Sequence, residues 1–443
     1  MSQASSSSAP ARLSYGSYLA LVVPFVISTM TTPLLGAVDT ALVGHLPDPA
    51  CIAGVAVGAV IFSTIYWLFG FLRVSTTGYT AQALDDDALL TSALLRPLAI
   101  ALFIGLTFVA LQKPLFSMAM RLLQPEASVQ GYAGEYFFIL IWGAPFTLIN
   151  YVCLGWLMGR LRTRAVLFNQ IAINVINIVL ALIFVRVLGW GVPGIASATL
   201  LAQIVGTLLG YVLIHRQLVP DRRAMAPGSL LSLRELKSIM LVNGDLMLRT
   251  VCLLIVTNHF IATGASLGTE TLAANAVLFQ IHYLIAYLFD GFANAASVFS
   301  GKARGAKDDG LYRQTLRHAA LSSLWLALAL ALLWWWSGPT LIGLFTHQPA
   351  LIALCLQYSA WLMLYPLCGA AGIIFYGVFT GITYTAPVRD SMILALLAWL
   401  AAWYFLVPHY GNHGLWMAYL AFSLGRSAFL LLWLPAARAR VTV

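Results

Sequence analysis

Apolar stretches of roughly 20 to 30 residues follow one another along the chain, separated by short polar turns, without alternation of apolar and polar positions. A transmembrane helix needs ~20 mostly apolar residues, whereas a barrel strand is ~10 residues of alternating character. The pattern therefore predicts an all-α integral membrane fold. Six helices are expected over 16–46, 50–77, 91–112, 130–158, 165–187 and 192–214. Six more are expected over 235–263, 269–300, 313–337, 350–380, 384–407 and 412–436, which makes twelve.

Composition strengthens this reading. Of 443 residues, 61% are apolar and 9% charged, against roughly a quarter charged in a soluble domain. A soluble enzyme, a nucleic-acid binder and a disordered scaffold are excluded. Cys51, Cys153, Cys252, Cys355 and Cys368 lie in or beside apolar runs with no CxxC pair, so they read as packing residues. Residues 1–15 are expected to be a disordered cytoplasmic tail, since Met1–Pro10 is Ser/Ala-rich and lacks the basic start of a signal peptide.

Charge distribution orients the helices, because cytoplasmic loops collect Lys and Arg. With the N-terminus inside, the inner segments hold eighteen of the 24 basic residues. Only Lys113, Arg121 and Arg186 fall outside, and Arg73, Arg249 and Arg426 lie within helices. Both termini are then cytoplasmic, and the net charge of +9 is a topology signal.

Displacing the sequence by 220 residues aligns Gly44 with Gly264, Ala53 with Ala273, Leu68-Phe69 with Leu288-Phe289 and Ala83 with Ala303. It also aligns Gly194, Ala198 and Leu200 with Gly414, Ala418 and Leu420. The expected organisation is an N-lobe over 16–214, a cytoplasmic linker over 215–234, a C-lobe over 235–436 and a tail over 437–443. Six helices per lobe give both the same orientation, related by a pseudo-two-fold axis along the membrane normal, a geometry suited to alternating access.

Ionisable groups at membrane depth are functional candidates by default. Asp39 lies seven residues before the expected outer end of helix 1, about 10 Å below the surface at 1.5 Å per residue. The residues one turn away from it carry no positive charge, so it is a candidate to bind and release a proton, or else a carboxylate fixed by neighbouring helices. Pro24 and Pro33 share its helix and permit a kink. Asn150, Asn169, Asn174, Asn177, Thr199 and Gln203 supply polar groups from helices 4 to 6. Asn174 and Asn177 share a face, and they serve either to bond Asp39 or to join helices.

In the second half, Asp245 and Arg249 are spaced for an ion pair along one helix. Asp290 has uncharged Ala286 and Asn294 one turn away, which makes it the more interesting acid. His259 and His282 are intramembrane; His45, His347, His409 and His413 are expected in solvated outer loops. Trp334-Trp335-Trp336 is expected in the interfacial belt. Asp85-Asp86-Asp87 invites a magnesium reading, as in membrane prenyl transferases, but without a second such cluster a solvated loop is favoured. Neither a phosphate loop nor a hydrolase motif is present in the sequence, so an enzyme is not expected.

These residues resemble the DinF branch of the multidrug and toxic compound extrusion (MATE) transporters. The resemblance is carried by Pro33-Leu-Leu-Gly-Ala-Val-Asp-Thr-Ala-Leu-Val-Gly-His45, Gly54-Val-Ala-Val-Gly58, Phe71-Leu-Arg-Val-Ser-Thr-Thr-Gly78 and Thr80-Ala-Gln-Ala83. Asp245-Leu-Met-Leu-Arg249, Leu272-Ala-Ala-Asn-Ala-Val277, Asp290-Gly-Phe-Ala293 and Gly411-Asn-His413 extend it over nearly the whole chain.

The resemblance implies cation-coupled efflux of hydrophobic or cationic compounds by a monomer in the inner (plasma) membrane. Cofactor and nucleic acid are not expected, and lipid and protons, or sodium, are the other partners. Asp39 matches the family's N-lobe acid and Pro24 the proline at which helix 1 bends. Asn177 and Thr199 match polar positions around that acid. Many relatives carry a second aspartate where this chain has Ala181, and some carry a glutamate where it has Ser297. A sodium site prefers several oxygen ligands, so the departure at Ala181 favours proton coupling. Rival readings are a lipid or lipid-linked-sugar flippase, a sodium-coupled antiporter and a membrane-embedded transferase.

Overall fold

The computed structural model describes residues 13–43, 49–217 and 232–442, and the side chains of all of these except 32–43, 49 and 233. The N-terminal tail through residue 12, most of the linker, His45 and the side chains of Pro33 and Asp39 lie outside the described residues.

Every regular element among the described residues is helical. In chain order they are α1 (Tyr15–Val43), α2 (Pro49–Leu68), α3 (Phe71–Gln82), α4 (Asp87–Ala110), α5 (Gln112–Leu123), α6 (Ala127–Leu140), α7 (Ala144–Gly159), α8 (Thr163–Leu182) and α9 (Gly191–His215). Then come α10 (Leu233–Ser266), α11 (Thr269–Gly305), α12 (Asp309–Gly343), α13 (Pro349–Gly381), α14 (Ala386–Leu431) and α15 (Leu434–Thr442). Ten helical stretches of the described residues are long and apolar enough to cross a bilayer. The last of these bends at Gly411, whose φ of 54° is non-helical, and so supplies two spans. With α1 the total is the expected twelve. Helices dominate because lipid offers no hydrogen-bond partner, so each backbone amide must be satisfied within its own segment.

Contacts divide the chain into two compact units, Pro24–Ile255 and Met1–Val23 with Val256–Val443. The divisions fall inside α1 and α10 rather than in the linker. In the first unit a core forms around Phe62, Phe137, Leu140, Ile141 and Ile195, with the rings of Phe62 and Phe137 stacked at 5.3 Å. In the second, α11 packs on α13, and Phe260, Phe279, Trp399, Trp416 and Tyr419 make a continuous cluster of tilted and edge-on rings. Phe103 and Leu106, more than half exposed, present apolar surface that suits lipid rather than water.

Each unit contains the same local devices. Gly155 and Gly159 of α7 lie against α3: a Cβ at Gly155 would come within 2.4 Å of the Arg73 carbonyl oxygen. Gly377 and Gly381 of α13 lie against α11, where a Cβ would come within 1.9 Å of the Ala293 oxygen and 2.0 Å of the Ser297 oxygen. A small residue every fourth position lets two helix backbones approach, which is how apolar helices gain contact in lipid. Leu161 and Thr383 then end these helices in a left-handed turn, φ 62° and 50°. Asp86 and Asp308 cap the helices that follow α3 and α11, accepting from the amides of Leu89 and Leu311. These pairs are separated by 222 residues, whereas Gly191 and Gly411, with φ of 57° and 54°, are separated by 220. The constant offset of 220 expected from sequence is therefore corrected to two offsets.

Other expectations also change. Asp85, Asp86 and Asp87 are exposed, and Asp86 is committed to its cap. His409 and His413 belong to helices rather than loops. His413 is half-buried and accepts a hydrogen bond from Trp361 Nε1 at 2.9 Å. Trp334 turns inward, donating to the Ser359 carbonyl at 2.9 Å, while Trp335 and Trp336 stay exposed. Residues 437–442 of the tail belong to a helix, α15, that is tied back through Arg438 to Asp309.

Candidate transport site

Polar side chains buried in a helical membrane protein must find partners on neighbouring helices. In the unit Pro24–Ile255 they do so around α8. Asn169 is fully buried; its Nδ2 donates to the Gly206 carbonyl of α9 at 3.1 Å and to Asn150 Oδ1 of α7 at 3.4 Å. Thr207 Oγ1 donates to the Phe146 carbonyl at 2.7 Å. Just over two turns further along α8, Asn177 accepts from Thr199 Oγ1 of α9 at 3.5 Å. Asn174 Nδ2 reaches the Thr31 carbonyl of α1 at 3.5 Å. Of the residues expected to form one network, Asn150 bonds Asn169, Asn177 bonds Thr199 and Asn174 bonds Thr31, three separate helix-to-helix bonds among neutral groups. Asn174 and Asn177, predicted to share a face, turn to different neighbours.

The sequence reading passed over Tyr66 and Thr147. Tyr66, in an apolar run of α2, buries its hydroxyl near Thr147 of α7 and Gln203 of α9 without a hydrogen bond to either. The short 3₁₀ turn Ile141–Gly143 lies against it: a Cβ at Gly143 would come within 2.0 Å of Gln203 Oε1. Tyr66 lies among Phe62, Trp67 and Phe69, and one more aromatic residue in such a run carries no signal of this. Ala181 is fully buried against Ala198, Leu180 and Phe184, so apolar packing surrounds it.

Asp39 lies on the helical backbone of α1, with its side chain outside the described residues. Pro24, one residue past the division between the units, removes one backbone hydrogen bond of that helix.

The acids proposed for the second half separate. Asp245 and Arg249 occupy the part of α10 that belongs to the unit Pro24–Ile255, and Asp290 belongs to the other. All three make interactions in the structure. In the second unit Asp290 and Arg426 both lie within electrostatic reach of Tyr365. Tyr365 in turn covers His282, ring centroids 4.2 Å apart. His282 is buried, with Nε2 bonded to the Tyr419 hydroxyl at 2.8 Å and Nδ1 without a hydrogen-bond partner. His259 accepts from Trp399 Nε1 at 3.2 Å. Both intramembrane histidines thus have aromatic partners some 140 residues away in sequence, which spacing alone did not reveal. Ser297 is buried, accepting at 3.5 Å from Thr380 Oγ1.

The MatE family model matches residues 24–183 and 246–402, most of the helical region. The chain belongs to the MatE family. It is 34% identical over 407 residues to DNA damage-inducible protein F of Escherichia coli (strain K12), covering 91% of this chain and 88% of that protein. It is 25% identical over 456 residues to the probable multidrug resistance protein NorM of Rhizobium meliloti (strain 1021), covering 94% and 91%. Its fold matches an outward-facing multidrug resistance MATE family transporter of the MOP superfamily, with a TM-score of 0.84 at 21% identity, over 96% of this chain and 95% of that one. This MatE protein is a multi-pass membrane transporter, not an enzyme.

Proposed function

We propose that this MatE protein is an antiporter that exchanges hydrophobic or cationic compounds for protons by alternating access, with Asp39 as the proton-binding residue. It works in the inner membrane with both termini cytoplasmic, as the eighteen inner basic residues favour. The observation that carries the reading is the character of the N-terminal polar network. Its amides and hydroxyls are neutral groups that bond from helix to helix, and Ala181 packs against Ala198 where a second carboxylate would have helped to hold sodium. A single acid on α1 suffices for one proton, whereas a sodium ion asks for several oxygen ligands.

Protonation of Asp39 from outside removes its charge and changes what α1 bonds to. Bending at Pro24 follows from the backbone bond that the proline already lacks. Proton and substrate then bind with opposed preference, since each weakens the state that favours the other. Two six-helix lobes, 16–214 and 235–436, provide the alternating framework in this reading.

The test is export of a cationic dye from sodium-free proteoliposomes under an imposed pH gradient, comparing wild type with Asp39→Asn. Transport that collapses with the gradient and with the substitution is expected. Undiminished gradient-driven export by a well-folded Asp39→Asn variant would overturn the assignment. Export driven by sodium alone would replace the proton with sodium.

A further inference from the structure

The first residues of α1 are held in their unit by an unusually complete set of contacts. Leu13 N donates to Gln314 Oε1 at 2.6 Å, and its carbonyl accepts from His318 Nε2 at 2.8 Å. A carbonyl only accepts, so Nε2 carries a proton and donates. Tyr15 Oη shares a hydrogen bond with Ser322 Oγ at 2.9 Å and also accepts from Trp325 Nε1. Tyr18, fully buried, donates to the Phe292 carbonyl at 3.2 Å. The His318 ring sits 5.2 Å from that of Tyr15 and 5.7 Å from that of Tyr18. Gln314, His318, Ser322 and Trp325 recur every three or four residues, so they form one stripe along α12. Ser14 Oγ, accepting from Ser17 N at 3.1 Å, caps the start of the helix.

This clamp lies wholly within the part of α1 that belongs to that unit. Residues through Val23 belong with Val256–Val443, and the next residue is Pro24. A bend in a helix displaces one arm relative to the other only if one arm is fixed; otherwise the whole helix slides or rotates.

We propose that Tyr15, Tyr18 and His318 are positioning residues for transport: they fix the foot of α1, so that a bend at Pro24 is delivered to the arm that carries Asp39. The proposal rests on the reading of Asp39 as the proton site. None of the three residues touches the transported species in this account, and their contribution is to convert protonation into displacement of the upper helix.

The test uses the full chain in lipid nanodiscs and proteoliposomes with three variants. His318→Leu removes the donor to Leu13, Tyr18→Phe removes the bond to Phe292, and His318→Gln restores a donor. In wild type, amides of residues 15–22 are expected to exchange hydrogen as slowly as those of 315–325. His318→Leu and Tyr18→Phe should speed exchange at 15–22 about fivefold, the effect of losing one hydrogen bond. They should also lower the number of ethidium ions exported per proton admitted at least twofold, while Asp39→Asn leaves exchange at the foot unchanged. His318→Gln should restore both readouts.

Wild-type exchange at 15–22 in both donor-loss variants would overturn the clamp. Faster exchange with an unchanged ethidium-to-proton ratio would overturn its role in coupling. Wild-type export indifferent to the pH gradient would overturn the Asp39 reading and the coupling role with it, leaving exchange as the measure of the clamp. Should His318→Leu fail to fold, Tyr18→Phe carries the same comparison.

Discussion

Asn275 and Asn412 exchange two amide hydrogen bonds, Nδ2 to Oδ1 at 2.7 Å in one direction and 3.0 Å in the other. Both side chains are buried, and Trp416 Nε1 donates to the same Asn275 oxygen at 2.9 Å. The pair joins α11 to α14 one residue beyond the bend at Gly411. Each amide leaves its partner unsatisfied when removed, and an orphaned buried polar group costs ~1–3 kcal/mol. Asn412→Ala and Asn275→Ala are each expected to lower the thermal unfolding midpoint in detergent. The double variant should cost clearly less than the sum, because both singles break the same pair. Additive losses would show that the two amides act independently.

The glycines at the α3–α7 and α11–α13 crossings leave no space for a methyl group. Gly377→Ala and Gly155→Ala must push backbone against backbone, and overpacking of this kind typically costs ~1–3 kcal/mol. Both variants should show reduced folded yield and a lower unfolding midpoint. The exposed Gly131 of α6, whose added Cβ would meet nothing within 4 Å, serves as the control. An unshifted midpoint for Gly377→Ala would mean that the two helices can separate without loss.

Asp309 holds α15 in place by bonds to Arg438 at 2.9 and 3.0 Å, and it also bonds Arg313. At 1.5 Å per residue the 35-residue α12 is about 50 Å long, so its first residue clears a hydrocarbon core of ~30 Å. The two guanidinium groups, Arg438 first, hold the Asp309 carboxyl well below the ordinary carboxylate range. A carboxylate lowered in this way contributes stability that is present above its unfolded value and lost as pH falls through the folded one. Protease resistance of the C-terminal segment should therefore be flat from pH 5 to 8. It should weaken in high salt, because the cluster is exposed. Asp309→Asn should weaken it at every pH, and resistance unchanged by that substitution would show that apolar contacts alone dock α15.

Gly143 lies against Gln203, so Gly143→Ala must displace the amide from Tyr66 and Thr147. The N-terminal polar network should loosen while the fold persists, giving a raised KM for a cationic dye with little change in maximal export. A KM equal to wild type would separate Gln203 from substrate binding.

The number and type of spans were legible from the sequence alone. A backbone in lipid has one means of satisfying its amides, and a run of ~20 apolar residues has one use for it. The resemblance at Pro33–His45 likewise anticipated the family. Local turns were only partly legible. Asp86 reads as an acidic run until its carboxylate is seen capping α4, and the offset of 220 missed the 222-residue pairs because Ala, Leu and Gly align at many spacings.

What tertiary structure alone decided is which polar groups meet. His282 reaches Tyr419 across 137 residues, Tyr18 reaches Phe292 across 274, and Leu13 reaches His318 across 305. Helical periodicity tells which face a side chain occupies, but any of several neighbouring helices can stand opposite that face. In lipid, apolar surface does not distinguish between those neighbours; close backbone approach at small residues and pairing of buried polar groups do. Sequence thus determined that this chain crosses the membrane twelve times and carries an acid on its first helix. The packing of those helices decided that Asn169 would join α7 to α9 and that the foot of α1 would be tied to α12.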